Sequence, residues 1–302
     1  GPTKKKKTPP TAEEELSKFL KTNVTIGKIE INPLSELALY DVRIPDQQGG
    51  KMVTVDKIGA GMSLPNLVFF QRFVFNYAEL IGLDGRITKA TPDSQMNIQF
   101  IIDALKPKDK NKPPTKFDVK LDAVVLRKSS LSFDVLSEPV GSGKFDKNHI
   151  RLQNINSDIR IPDLRNDYFT FDIRRFAFSE HSGFHLNNLT ALVHIDKRNI
   201  SAKRLKIELP GTRIEPADIS LHFNDLKTLG KEIKQIPLSL KIEEAPITLS
   251  DFKAFVPELG KVTMPMFLTI DVNGTASRIN LRRLNIHTDG EWLAVNTSAS
   301  VT

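Results

Sequence analysis

The chain of 302 residues contains no cysteine. That excludes a disulfide framework, a thiolate metal site and a cysteine nucleophile. One tryptophan and three tyrosines are too few of the rings that sugar platforms favour, which argues against a secreted adhesion or carbohydrate-binding sandwich. No apolar run approaches the ~20 residues needed to span a bilayer, and no signal peptide with an apolar core opens the chain. Catalytic patterns are missing as well. The six histidines are scattered. His181 and His185 stand four apart, but Ser182 and Gly183 between them break a helix and no third ligand accompanies them. Gly141 to Lys144 resembles the end of a phosphate-binding loop, yet Phe145 replaces the required Ser/Thr and Glu138 holds the first-glycine position, so the segment reads as a turn. No Gly-x-Ser-x-Gly elbow is present, and the carboxylates alternate along wet strand faces instead of pairing as acid and base. The chain is therefore read as non-enzymatic, with no cofactor and no metal.

The net charge is +7 and the tetralysine Lys4 to Lys7 supplies more than half of it. The remaining charge is of mixed sign, as on an ordinary soluble surface. A basic balance raises nucleic acid or anionic lipid as partners, but no cluster of aromatic and basic residues supports RNA binding, and nucleic acid is set aside. Five Asn-x-Ser/Thr triplets begin at Asn23, Asn188, Asn199, Asn273 and Asn296; chance in Thr- and Asn-rich strands accounts for them.

What the sequence has in abundance is alternation. Leu131, Phe133 and Val135 are separated by polar residues, as are Phe169, Phe171 and Ile173. The same holds for Leu205, Ile207 and Leu209, for Ile219, Leu221 and Phe223, and for Leu268, Ile270 and Val272. Leu189 to Ile195 and Leu238 to Ile242 follow the pattern too. Successive strand side chains point to opposite faces, so each run is a half-buried strand with one apolar and one wet face. The expected class is all-β, with few helices.

Residues 1–10 are expected to be a disordered basic lead, and Gly1 with Pro2 has the look of a tag scar left on an excised fragment. Residues 11–105 open the sheet. Thr11 and Glu14 have capping-box spacing ahead of Leu16, Phe19 and Leu20, which predicts a short amphipathic helix with an acidic first turn. Strands are expected over 24–31, 37–44, 52–62, 73–81 and 83–89, with a turn or short helix over 64–72. Ile98, Ile101, Ile102 and Leu105 recur at helical spacing and predict a second helix over 96–105. Residues 106–116 form a charged, Pro-rich loop. Residues 117–302 continue the sheet, with short helices expected over 225–234 and 250–259. The chain stops at Val301 and Thr302 without a turn or cap, as a sheet truncated mid-run would.

The order of these elements carries a resemblance. A helix is followed by a strand ending near Pro33 and Leu34, then by Leu39 to Ile44 (Leu-x-Asp-Val-x-Ile), Gly50 to Val55 (Gly-Lys-x-x-x-Val), a turn over 64–67 and the Leu-Asp-Gly strand at Leu83 to Gly85. This order resembles the AsmA-like proteins of Gram-negative bacteria, in particular the TamB-type branch of Bacteroidetes. The later segments 179–191 and 205–214 are similar to the same branch, so the resemblance covers most of the chain. It implies an elongated, taco-like β-groove with an N-terminal helix. It further implies an inner-membrane anchor preceding this segment, a periplasmic location, phospholipid as cargo and an outer-membrane barrel partner through a C-terminal region not present here.

The candidate groove lining is then Leu131, Phe133, Val135, Phe169, Phe171, Ile173, Leu205, Ile207, Leu209, Ile219, Leu221, Phe223, Leu268, Ile270 and Val272. Leu16, Phe19 and Leu20 would form a helix capping the groove end, or equally a cover for a sheet edge. Alternation alone leaves two states open. The apolar face is either a conduit for acyl chains or a closed sandwich core, and the second would suit a periplasmic scaffold for outer-membrane protein assembly.

Overall fold

A computed structural model describes residues 11–32, 36–63, 65, 73–105, 117–165, 168–225, 235–275, 278–291 and 294–301. The expectations for residues 1–10, 106–116 and most of 64–72 and 225–234 lie outside them. Helix α1 (Ala12–Leu20) begins with the capping box that the sequence predicts: Glu14 N–H donates to Thr11 Oγ1 at 3.2 Å and Thr11 N–H to Glu14 Oε2 at 3.0 Å. It ends at Lys21, which is left-handed with φ 56°. The second helix, α2, covers Gln99–Leu105, three residues shorter than its apolar spacing predicts.

Strands β1 (Lys28–Asn32), β2 (Glu36–Pro45), β3 (Lys51–Met62), β4 (Phe73–Ile81) and β5 (Asp84–Lys89) are followed by the long β6 (Phe117–Val135) and β7 (His149–Arg165). Next come β8 (Tyr168–Glu180), β9 (His185–Leu186), β10 (Asn188–Asp196), β11 (Asn199–Glu208), β12 (Arg213–Ile214) and β13 (Ile219–His222). These build a sheet of 13 strands in the order β1-β2-β3-β4-β6-β7-β8-β10-β11-β12, with β13 also on β11, β5 between β3 and β6, and β9 on β8. Strands β14 (Leu238–Thr248), β15 (Pro265–Thr275), β16 (Arg278–Thr288) and β17 (Ala294–Val301) form an antiparallel sheet of 4.

Antiparallel neighbours dominate, as short hairpin turns require, with one exception. Strands β4 and β5 lie end to end and both pair parallel to β6. A parallel pair needs a crossover, and the connection holding α2 supplies it. The two sheets adjoin at a seam: Ala217 N–H donates to Lys241 O at 3.0 Å, Thr248 N–H to Thr212 Oγ1 at 3.0 Å, and Thr248 Oγ1 to Gly211 O at 3.1 Å.

The helix expected over 250–259 is instead two 3-10 turns, Leu249–Phe252 and Pro257–Lys261. Proline disfavours the helical region for its predecessor, and Val256 accordingly sits at φ −133°, ψ 93°.

Buried side chains gather in three places. The largest cluster holds Leu20, Val24, Leu39, Val42, Met52, Val53 and Val55, with Leu16 and Phe19 of α1 and Ile98, Phe100, Ile101 and Ala104 around α2 packed on it. A second joins Ile242, Ala245, Ile247 and Met266, and a third Ala60, Met62 and Phe75. Among the described residues, no such cluster forms on β6 to β11.

Candidate apolar groove

Cross-strand pairing places one residue of each strand opposite one of the next, on the same face. Following those pairs from the first strand gives Ile31, Leu37, Ala60, Ala78, Val124, Ile159, Ile173 and Ala191, an uninterrupted apolar row over eight strands. Seven strand spacings make it about 34 Å long. Beside it Phe171, Val193, Ala202 and Ile219 form a second row, and Phe169, Ile195, Ile200 and Leu221 a third. Phe169 and Phe171 stack with centroids 6.4 Å apart. The opposite face carries Arg160, Asp172, Leu192 and Lys203 at matching positions, with Asp158 beside Arg175.

The face is bent by a recurrent device. The period-2 pattern slips by one residue near mid-strand: Leu37 and Leu39 give way to Val42 and Ile44, Ile150 and Leu152 to Ile155, Ile200 and Ala202 to Leu205 and Ile207, and Leu240 and Ile242 to Ala245 and Ile247. In six strand lines a left-handed residue stands at the slip: Asp41 (φ 53°), Gly82 (66°), Lys128 (49°), Asn154 (52°), Arg204 (52°) and Glu244 (47°). An extra left-handed residue restores the facing of the apolar positions beyond it and bends the strand, as β-bulges do. The pairing registers shift at Leu126/Ser129, Gln153/Asn156, Thr190/Leu192 and Ile242/Ala245. Gly82 donates its N–H to Arg127 O, next to Lys128, and Lys128 donates its own to Asn156 Oδ1 near Asn154, so the slips of β4–β5, β6 and β7 meet and form a crease across these strands. In four strands the residue after the slip is buried: Val42 (1%), Ser129 (1%), Ile155 (3%) and Ala245 (5%). Packing is thus tight at these slips, and on β6 to β11 most apolar positions away from them are partly exposed.

The residues singled out from sequence distribute along these strands. Phe169, Phe171, Ile173, Ile219 and Leu221 fall in the rows above. Leu131 and Phe133 pair with Leu152 and Ile150 beyond the crease, and Ile207 pairs with Leu189 and Ile214. Leu268, Ile270 and Val272 face Ala245, Ile242 and Leu240 in the smaller sheet. All of these, and Leu205, are partly exposed. Val135, Leu209 and Phe223 are buried, because the chain turns back over them at strand ends: their N–H groups donate to Asn148 O, Thr212 O and Arg198 O. Leu16, Phe19 and Leu20 pack on the β2–β3 end of the apolar face. Ala191 falls in the alternating run Leu189 to Ile195, while sequence reading passed over Ala78, Val124 and Ile159, because alanine and residues next to a slip do not register as strict alternation.

The candidate polar motifs resolve into turns. The amides of Gly141 and Asn148 donate to the Asp146 carboxylate at 2.7 and 2.9 Å, which holds that carboxyl below its ordinary range. His185 shares a hydrogen bond with Ser179 Oγ, 3.0 Å away, and His181 is exposed. Among the described residues, no group of three or more His, Cys, Asp or Glu is placed to hold a metal ion, and no helix is long and apolar enough to cross a membrane.

A site invisible to sequence reading lies on the wet face. His149 Nδ1 meets Asp134 Oδ1 at 2.9 Å and its Nε2 meets Glu138 O at 3.0 Å, while Arg151 Nη1 donates to Asp134. Both ring nitrogens face acceptors, which favours the imidazolium. The bond to Asp134 accordingly raises His149 above its ordinary value. Burial alone would push Asp134 up, but the bonds from His149 and Arg151 outweigh it and leave the carboxyl lowered. Comparison with family models, with curated proteins and with solved structures returns no match for this chain.

Proposed function

We propose that this chain is a segment of a non-enzymatic lipid conduit, in which phospholipid acyl chains lie against the creased apolar face and headgroups stay in water at the rim. The observation that carries the reading is the row from Ile31 to Ala191, continuous over eight strands, free of charge and not covered by a packed cluster on β6 to β8. Each methylene moved from water onto such a face contributes about 0.8 kcal/mol when fully buried. That term has no direction, so the lining discriminates poorly between tails.

The order of motifs in the first hundred residues, similar to AsmA-like proteins of the TamB type, supports the same reading. It adds a periplasmic location, an inner-membrane anchor and an outer-membrane partner to the proposal. The competing reading is a periplasmic scaffold whose face is closed on itself. Photo-crosslinkers decide between them. Placed at Phe171 and Leu221 they are expected to capture phospholipid, and at Asp172 and His222 they are expected to capture none. Protein-only crosslinks at Phe171 and Leu221 would sink the conduit and leave the scaffold.

A further inference from the structure

The connection from β14 to β15 runs from Leu249 to Met264, where about two to five residues suffice for a hairpin. It does not stay beside its own strands. Ala254 O accepts from Phe145 N–H, in the β6–β7 loop, at 2.6 Å. The Phe255 ring lies 5.2 Å from both Phe145 and Phe184, the latter in the turn between β8 and β9. At the near end, Asp251 Oδ2 accepts from Gly211 N–H at 2.9 Å. Within the sheets, β14 is separated from β8 by β12, β11 and β10, a distance of roughly 15–20 Å at one strand spacing per step. The connection therefore arches over the strand ends from the second sheet to the middle of the first.

Its anchor continues the apolar face. Phe176 lies opposite Ser157, which lies opposite Leu126 and, one strand further, Leu80. Phe176 touches Phe178 at 5.5 Å, Phe178 touches Phe184 at 6.1 Å, and Phe184 touches Phe255. A chain of rings thus leads from the groove to the arch. The contact holding the arch down is ring on ring, with one backbone hydrogen bond at the rim. Ala254 is buried (1%), whereas Phe255 keeps 44% of its surface exposed. An acyl chain presents the same apolar chemistry as the Phe255 ring and could take its place without leaving a buried polar group unpaired, since Phe145 N–H and Ala254 O would turn to water.

We infer that residues 249–264 form a strap closing the groove rim between β8 and β14, latched by Phe255 and displaced when an acyl chain enters from the side. This rests on the lipid reading above. The absence of cysteine allows a direct test in the whole chain. Lys144→Cys with Val256→Cys puts one thiol on each side of the latch, next to Phe145 and Phe255. Joining them with a short bismaleimide is expected to slow uptake of fluorescent phosphatidylglycerol at least tenfold, from vesicles of phosphatidylethanolamine and phosphatidylglycerol. The reference is the same protein capped with N-ethylmaleimide. Crosslinking after loading is expected to slow release equally, which damage to the groove would not do. Phe255→Ala is expected to speed both steps severalfold. Equal rates in crosslinked and capped protein overturn the latch and leave the conduit standing. No uptake by either protein overturns the conduit and the latch with it.

Discussion

The backbone N–H of Lys128, left-handed in the middle of β6, points to Asn156 Oδ1 on β7 at 3.3 Å. Two other slips repeat the device: Arg204 N–H donates to Asp218 Oδ1 at 3.3 Å and Glu244 N–H to Thr269 Oγ1 at 3.1 Å. A bulged residue loses its ladder partner, and here a side chain from the adjoining segment accepts the orphaned donor. Three side chains thereby tolerate bends that a regular ladder would resist.

The strain at these positions is testable. A side chain in the left-handed region costs about 1–2 kcal/mol, part of which glycine recovers before its own unfolded-state entropy is counted. Lys128→Gly is expected to raise the unfolding free energy by about 0.5–1 kcal/mol, read as a higher urea midpoint. A lower midpoint would show that the Lys128 side chain contributes more than its backbone strain costs.

Thr269 is buried at 4% and also donates its hydroxyl to Glu244 Oε1 at 3.1 Å. Thr269→Val keeps the shape and removes the acceptor, so Glu244 N–H loses its partner. The expected loss is about 1–2 kcal/mol, and an unchanged urea midpoint would refute the role assigned to Thr269.

Gly82 carries φ +66°, and a Cβ there would lie 2.0 Å from Asp56 Oδ2 and 2.6 Å from its Cγ. Gly82→Ala is expected to destabilise by at least about 1 kcal/mol, and Gly82→Ala with Asp56→Ala by less, since the steric part is relieved. Equal losses in the single and double variants would leave the backbone conformation as the whole cause.

His149 gives a pH dependence. Its pKa is raised by Asp134, so its contribution is fully present below the unfolded value near 6.5 and is lost as pH rises through the folded value. Asp134 is lowered, so its contribution is present above the ordinary aspartate value near 3.9 and is lost as pH falls through the folded one. Wild-type stability relative to His149→Gln is therefore expected to be greatest between about pH 4 and 6.5 and to shrink on the alkaline side. Parallel stability curves from pH 5 to 9 would contradict it.

The groove itself is probed by charge. Phe171 is partly exposed in the second apolar row, so Phe171→Arg is expected to fold and yet lose at least tenfold in bound phospholipid, measured by mass spectrometry of the purified chain. An unpaired cation on an apolar path is costly to desolvate. Asp172→Asn on the wet face is expected to keep its lipid. Equal lipid content in all three proteins would remove the apolar rows from the mechanism.

Much of the strand content was legible because period-2 alternation is a local signal. Phe73–Ile81 matches the strand expected there, and Thr11 with Glu14 marked the start of α1 because a capping box needs only residues three apart. The slips were also written in the sequence, as in Leu37, Leu39, Val42 and Ile44, but a broken alternation reads like two short strands until both halves are seen on one face. The wet-face trio of Asp134, His149 and Arg151 left no local trace, since fifteen or more residues separate Asp134 from its partners.

The sequence by itself determined an all-β chain, its apolar and wet strand faces, the capped first helix and the lack of thiol chemistry, because backbone periodicity and side-chain type act within a few residues. Tertiary structure alone decided the parallel placement of β4 and β5 beside β6, the meeting of the slips of β4–β5, β6 and β7 in one crease, the seam at Thr212 and Thr248, and the reach of Phe255 to Phe145 and Phe184. Those depend on which distant segments pair, and pairing energy comes from contacts across strands that no local pattern specifies.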